Sequence, residues 1–516
     1  MSEIRYPIGI QSFEKLRKGG YVYVDKTQHI DHLVRNGGYY FLSRPRRFGK
    51  SLLISTLEAY FRGKKDLFHG LAIEETEKEW KEYPVLHLDL NTGLYDCPEA
   101  LQGVLHRHLE KWEEEYGDAF KDRPAGERLL HVVELAYKKT SLPVVLLVDE
   151  YDKPLLQSLD NDELQANYRA QLKAFYSVLK TQDRYIRFAL LTGVTRFSKI
   201  SIFSDLNNLK DISIDEQFAD VCGITDEEID RYFNEAISEI AEVNGLTYDE
   251  VRRNLKERYD GYHFDIKAVG VYNPFSLLNA LYDKRLRDYW FASGTPTFLV
   301  ELLKENDYNL EQLKSVEVTV FSLINIDSYR DNPIPLLYQS GYLTIIDGDP
   351  DFGLYTLGFP NGEVERGFVD FLLPYYAPIQ RDKTGLAMKN FTLDIRGGHP
   401  EAFMQRLQAF YANANFKIAG DMEKYFHNSL FLIFTLMGQY TEAEYHTSQG
   451  SIDLLVKTAD YIYIIECKLD RSAEEAIRQI DEKGYAAPFA MDSRKLFKIG
   501  VNFSSKTRGI DEYLIA

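Results

Sequence analysis

The sequence predicts an α/β protein: a parallel sheet whose strand ends carry chemistry, a helical region with a winged-helix-like module, and a separate α/β unit at the C-terminus. Three stretches predict this. The first is the apolar strand Tyr39-Tyr40-Phe41-Leu42, the loop Ser43 to Ser51, and the apolar helical pattern Leu52 to Leu57 that begins at once. The second is Pro143-Val144-Val145-Leu146-Leu147-Val148-Asp149-Glu150, an unbroken aliphatic run ending in two carboxylates, as a buried parallel strand does. The third is a pair of strand-like runs, Ile452 to Val456 and Tyr461 to Ile465, which closes on Glu466-Cys467-Lys468.

The loop of the first stretch reads Ser43-Arg44-Pro45-Arg46-Arg47-Phe48-Gly49-Lys50-Ser51. A Gly-Lys-Ser ending between a strand and a helix is the setting of a phosphate-binding loop. Gly49 lets backbone N–H groups approach a phosphate, and the helix that follows points its positive end there. Lys50 would neutralise the phosphates, Ser51 would offer its hydroxyl to Mg²⁺, and Arg46, Arg47 and Phe48 complete the cradle. The first glycine of the full motif falls on Arg44, so the loop alone also reads as a plain strand-to-helix connector. Asp149 and Glu150 tip the balance toward a nucleotide. An acid at that strand end holds Mg²⁺, here Asp149, and the next, Glu150, positions or deprotonates the attacking water.

The remaining elements follow in order. A short helix around Ser12 to Arg17 and a strand at Tyr21 to Asp25 lead to a helix, Thr27 to Arg35, and then to the loop. Val85 to Leu90 alternates as a strand. Pro98 to Lys139 has helical periodicity and covers a sheet face. A further helical pattern runs to Lys180, and Ile186 to Leu191 is another buried strand, ending at Thr192 and Arg196. In ATPases of the AAA type a polar residue at the end of this neighbouring strand contacts the γ-phosphate or the water, which makes Thr192 a candidate. Arg196 is either a charge stabiliser or a strand-end turn. From Thr225, which forms a capping box with Glu228, charged helices run to about Glu317, broken by the turn Tyr259 to Phe264. A helix ending at Gly341, a strand to Ile346, a turn at Asp347-Gly348-Asp349-Pro350 and a strand at Tyr355-Thr356-Leu357 make a winged-helix-like module. The acids at its tip favour a lid over a nucleic-acid reader. Gly362 to about Ala414 is helical and connecting.

In the C-terminal unit Asp453 starts one strand, while Glu466 and Lys468 share a face of the other and Cys467 points away. Two carboxylates and a lysine on one spot can bind a divalent metal and orient a water for phosphodiester attack, with the Cys467 carbonyl as a further ligand. A helix from Ala473 to Lys483 returns Gln479 toward that spot. On an earlier apolar-faced helix Glu423 offers a third carboxylate, and His427, one turn on, reads as structural. Hairpin-end charges forming a salt bridge are the competing interpretation. The apolar run Tyr461 to Ile465 argues against an exposed edge.

Composition bounds the whole. A chain of 516 residues exceeds one core, so two to four domains are expected. A net charge of −18 excludes long-range attraction to nucleic acid and requires a local basic patch for any such contact. Cys97, Cys222 and Cys467 lie far apart, which excludes a disulfide or zinc framework and fits a cytoplasmic home. Neither an apolar signal core nor a membrane-length run is present, so no membrane partner is expected.

With both constellations in hand, the chain resembles the bacterial and archaeal AAA-ATPase-like proteins that carry a C-terminal PD-(D/E)XK nuclease-type domain. The resemblance rests on Arg44 to Ser51, Val148 to Pro154, Thr192 to Thr195, Asn273 to Ser276, Gln339 to Thr344, Phe359 to Val364, Ile452-Asp453 with Glu466-Cys467-Lys468, Gln479-Ile480 and Gly484-Tyr485. It implies a P-loop ATPase of AAA-like fold over residues 1–224, a helical lid and winged-helix-like module over 225–365, a helical connector over 366–412 and a restriction-endonuclease-like domain over 413–516. It also implies ATP and Mg²⁺ at the first site, a nuclease-type metal site at the second, and nucleic acid as a partner there. Gly450-Ser451 departs from the Gly-Arg expected before the hairpin acid, and that arginine would contact phosphate. Two functions follow: an ATPase coupled to a metal-dependent nuclease, in defence or mobile-element biology, or a nucleotide-controlled switch whose nuclease fold is silent. A homo-oligomer or a protein partner fits either.

Overall fold

The computed structural model describes residues 4–118, 120–197, 208–293, 297–324, 326–377, 379–412, 422–438, 442–448 and 451–516. The chain divides into two compact units, Met1–Ala292 with Ser315–Glu363, and Ser293–Lys314 with Val364–Ala516.

The first unit is built on a five-stranded parallel sheet. Its strands are β1 (Gly38–Ser43), β2 (Val85–Asp89), β3 (Val144–Asp149), β4 (Ile186–Gly193) and β5 (Leu209–Asp211), in spatial order β2-β3-β4-β1-β5. Every pairing is parallel, and β3 is buried along its full length, which explains its continuous aliphatic run. Helices Lys50–Phe61, Pro98–Tyr116 and Ala125–Thr140 provide the crossovers that parallel strands require. A buried two-pronged ion pair, Arg128 to Glu113 at 2.7 Å on each prong, ties the last two together. Helices Asp226–Tyr232, Asn234–Asn244, Tyr248–Tyr259 and Pro274–Asp283 bury Ile229, Ile237, Ile240, Leu255 and Leu277 in a core of their own. Two capping boxes, Thr225/Glu228 and Thr247/Glu250, start the first and third of them.

Three local expectations are corrected. Residues Tyr21 to Asp25 form no strand and join no sheet; β1 has β4 and β5 on its two sides. Val316–Thr319, where the helical run was expected to end, is a strand, β6, which pairs with β8 (Leu354–Gly358), itself paired with β7 (Thr344–Asp349). The turn expected at Asp347 to Pro350 falls later, since a register irregularity between Ile345 and Asp347 lets β7 continue to Asp349 opposite Leu354.

The second unit carries a mixed sheet of β9 (Glu442–Ser448), β10 (Ser451–Lys457), β11 (Tyr461–Leu469), β12 (Lys495–Ser504) and β13 (Gly509–Ile515), in order β13-β12-β11-β10-β9. Only β11 and β12 pair in parallel, and helix Ala473–Glu482 makes their crossover. Tyr463 Oη donates to the Ile395 carbonyl at 2.7 Å, and the Tyr411 and Phe503 rings meet at 5.4 Å, so the helices before the sheet share its core. The side chains of Ser451 and Asp453 lie outside the described ones, as do Asn413 and Gly450.

Candidate functional site

Because β1 neighbours β4 and β4 neighbours β3, the loops at their carboxyl ends meet in one crevice. Gly49, at φ 95°, starts helix Lys50–Phe61 in a conformation that favours glycine. Lys50, only 3% exposed, donates from Nζ to the carbonyls of Arg44 at 3.0 Å and Pro45 at 3.2 Å, and sits 3.3 Å from Glu150 Oε1. Glu150 has φ 54°, a left-handed backbone that a glutamate holds only under constraint, at the point where β3 ends. Asp149 is buried and its Oδ1 accepts from Thr192 Oγ1 at 2.7 Å. Lys50, Asp149, Glu150 and Thr192 are thereby gathered around one point, with Ser51 one residue into the helix.

The arginines of the loop divide. Arg44 is buried and turned inward, donating to the carbonyls of Ser213 at 2.7 Å and Phe218 at 2.9 Å with its guanidinium 3.9 Å from the Phe264 ring. Arg46 is exposed. Arg47 lays its guanidinium 3.7 Å over Phe275 and reaches the Tyr289 and Trp290 carbonyls at 3.4 Å, so its side chain serves the helical region and only its backbone faces the cradle. Phe48 is likewise buried, edge-on to Tyr262 at 4.7 Å. Gly341 closes this packing: a Cβ there would come 2.7 Å from Pro45 Cβ. Beside Gly49, the side chains of Tyr23, Val24, Leu52, Ile224 and Leu278 line an apolar cleft of the kind a planar base enters.

Sequence reasoning missed Asp152. It is fully buried and accepts from the backbone N–H groups of Val194 at 3.1 Å and Thr195 at 2.6 Å and from Thr195 Oγ1 at 2.6 Å. Burial, reinforced by the charge of Glu150, pushes its carboxyl up to about 6. The third acid of Asp149-Glu150-Tyr151-Asp152 was its signal, and its work is to fix the turn after Thr192. Arg196 pairs with Asp211 at 2.5 Å, and its N–H donates to Gln339 Oε1 at 2.6 Å, which accounts for it as a turn residue.

In the second unit β11 delivers Glu466, which is fully buried. Its Oε1 accepts from Lys468 Nζ at 2.8 Å, and Lys468 Nζ also donates to Gln479 Oε1 at 2.5 Å. Glu466 Oε2 has no hydrogen-bond partner in the structure. A buried carboxylate oxygen in that state suits a cation. The ladder sets Asp453 opposite Glu466. Glu423 is exposed on helix Met422–Met437, and His427 on the same helix sits 3.4 Å from Glu311. Among the described residues no three acids, histidines or cysteines gather as a metal site.

A family model described as predicted AAA-ATPase matches residues 7–203, and one described as PD-(D/E)XK nuclease superfamily matches residues 421–513. An uncharacterized protein in the vnfD 5′ region of Azotobacter chroococcum is 35% identical over 529 residues, covering 100% of this chain and 99% of that one. The chain belongs to this family of predicted AAA-ATPases with a C-terminal PD-(D/E)XK domain. Among solved structures, the ORC2 protein of Aeropyrum pernix aligns with a TM-score of 0.23 at 12% identity, over 70% of this chain and 91% of that one, a likeness too slight to argue from. In the AAA-ATPase-like chain the first family match covers all five strands of the parallel sheet but β5, and the second covers the Glu466 cluster. Among the described residues no helix is long and apolar enough to cross a membrane.

Proposed function

We propose that the chain binds and hydrolyses ATP in its first unit and that nucleotide state governs a metal-dependent nuclease-type site in its second. In the first unit the residues fit the nucleotide: Lys50 and the backbone of Arg46 to Ser51 would hold its phosphates, and Ser51 and Asp149 would hold Mg²⁺. Glu150 takes a proton from the attacking water, and Thr192, held by Asp149, orients that water or the terminal phosphate. In the second unit Glu466 and Asp453, with Glu423 as a further candidate, would hold a divalent cation, which supplies Lewis-acid activation of water. Lys468, positioned by Gln479, stabilises the charge that develops on the phosphate. The substrate is nucleic acid. We assign the functional modules to residues 1–224, 225–365, 366–412 and 413–516, and the setting to the cytoplasm, in defence or mobile-element biology.

The observation that carries the nuclease assignment is the buried Glu466 oxygen without a partner beside a buried lysine, since a purely structural salt bridge has no reason to leave it so. A catalytically silent switch is the second reading, favoured by Ser451 in place of an arginine and by the net charge of −18. Incubating the full chain with linear, circular and single-stranded DNA, with Mg²⁺ or Mn²⁺ and with or without ATP, separates them. Metal-dependent cleavage abolished by Lys468→Ala supports the nuclease; ATP hydrolysis with no cleavage of any substrate supports the switch.

A further inference from the structure

The first unit also holds a cleft of about 1290 Å³, walled by the segment before helix Thr27–Asn36, residues 70–78, the start of helix Asp226–Tyr232 and the turn after Tyr259. Small-molecule sites usually enclose roughly 300–1,000 Å³, so this one is larger than a small ligand needs. Its lining carries eight carboxylates against three lysines and arginines.

Most of those acids have structural work. Asp25 accepts from the N–H groups of Thr27 at 2.9 Å and Ala72 at 2.7 Å. Asp220 and Glu228 share Lys26, at 3.7 and 2.7 Å, and Asp226 pairs with Arg252 at 3.0 Å. Asp260 is different. Its residue is 6% exposed; the Gly261 N–H donates to its carboxylate, but Oδ1 is left without a hydrogen-bond partner, and the cation nearest Oδ2, Lys256, is 3.8 Å away.

Asp260 is also held rigidly. Its N–H donates to the Lys256 carbonyl to end helix Tyr248–Tyr259, and its own carbonyl accepts from Asn361 Nδ2 at 2.7 Å. Gly261 follows at φ 90°, where a Cβ would lie 2.0 Å from the Pro360 carbonyl oxygen, so the turn admits only glycine. Across from it lies Gly270, where a Cβ would stand 3.5 Å from Asp260 Oδ1 and 3.0 Å from His263 Nε2, so only glycine lets these groups lie this close. A preset carboxylate oxygen, buried and unpartnered behind a glycine in an acid-lined cleft, costs stability unless a donor arrives from outside.

We propose that this cleft is a docking site for a basic peptide segment of a partner protein, with one lysine or arginine side chain seated on Asp260. A divalent cation is disfavoured because no three ligating side chains gather among the described residues. A polyamine is disfavoured because Lys78, Arg231 and Lys256 share the lining and repel a ligand of uniform positive charge. A peptide sets its cations among the acids and its backbone past the lysines. Nucleic acid is excluded by the excess of carboxylates. The site stands independently of the ATPase and nuclease assignments.

The test is fluorescence anisotropy of a labelled peptide whose two arginines are separated by glycine and serine residues, with the full-length chain and with spermidine as competitor. The wild type binds; Asp260→Asn, which keeps shape but removes the charge, raises Kd by about thirtyfold or more, as expected when a buried charge pair loses one member. Gly270→Ala, which adds a methyl 3.5 Å from Asp260 Oδ1, weakens binding while leaving Asp260 in place. Asp249→Asn, on the exposed face of helix Tyr248–Tyr259, leaves it unchanged. The proposal is overturned if the wild type does not bind, if Asp249→Asn weakens binding as much as Asp260→Asn, or if folded Asp260→Asn or Gly270→Ala binds like wild type. Spermidine displacing the peptide at equal concentration would overturn the peptide assignment.

Discussion

In the structure Lys50 faces Glu150 at 3.3 Å, and a nucleotide phosphate must take that lysine away. Replacing Glu150 by Gln therefore acts on binding as well as on hydrolysis. At an effective dielectric of about 20, Coulomb's law gives the pair a gross attraction of about 5 kcal/mol. Desolvation offsets most of this, and the lower end of measured couplings between close charges, about 1.5 kcal/mol, is the net we carry forward. Losing that competition, and the repulsion between a carboxylate and a triphosphate, tightens ATP binding about tenfold in Glu150→Gln. Hydrolysis falls roughly 10²–10⁴-fold, the usual contribution of a general base. Lys50→Ala has the opposite effect on binding, because the cation that meets the phosphates is gone, and raises Kd about thirtyfold or more. Titration with a fluorescent ATP analogue reads the first quantity, and phosphate release reads the second. Equal losses of affinity in both variants, or an unchanged affinity in Glu150→Gln, would refute this division of roles.

Other outcomes follow from single contacts. Glu363 accepts from the N–H groups of Tyr289 and Trp290, and burial pushes its carboxyl from 4.5 up to about 7. The folded state therefore keeps a proton that the unfolded state releases, and stability falls as pH rises from about 4.5 to about 7. Glu363→Gln should flatten that fall by up to about 3 kcal/mol, read as the melting temperature at pH 5 and pH 8. At the second site, Mn²⁺ at a hundred times its Kd should stabilise the second unit by about 2.7 kcal/mol; Glu466→Gln and Asp453→Ala should abolish the shift in the full chain, while Lys468→Ala keeps it and loses any cleavage. Gly193→Ala would set a methyl 2.6 Å from Asp152 Oδ1 and 2.7 Å from the Tyr151 ring; a loss of about 1–3 kcal/mol, with slowed ATP hydrolysis, is expected by denaturant melting and phosphate release. A fragment beginning at Val364 keeps Ile395 and Tyr411 under the second sheet, whereas one beginning at Asn413 does not, and should lose on the order of 3–5 kcal/mol in the same melting assay.

Much was legible in the chain because the physics that makes it is local. A strand, a glycine at φ 95° and an apolar helix are adjacent in sequence, so the loop from Ser43 to Lys50 announced itself, as did the aliphatic β3 with Asp149 and Glu150 at its end. The alternation along β11 likewise put Glu466 and Lys468 on one face, and the helix after it returned Gln479 to them. Strand partnership was less legible. Tyr21 to Asp25 has strand composition and joins no sheet, while Val316–Thr319 follows a helical context and is a strand because β8 stands beside it.

Residue type and spacing thus determined which candidate chemical groups the chain carries, and they did so without reference to any distant residue. The tertiary structure decided which of those residues meet. Only the order β2-β3-β4-β1-β5 brings Thr192 to Asp149 and Lys50 to Glu150, each pair about a hundred or fewer residues apart but at the carboxyl ends of different strands. It also decided that Arg47, which read as part of the phosphate cradle, spends its guanidinium group on Phe275, as Arg44 at the motif's first position does on Phe264. The same holds for Asp260, an ordinary turn residue in sequence. Burial, the near approach of Pro360 and the closeness of Gly270 are what fix its carboxylate, and each depends on contacts that no local pattern encodes.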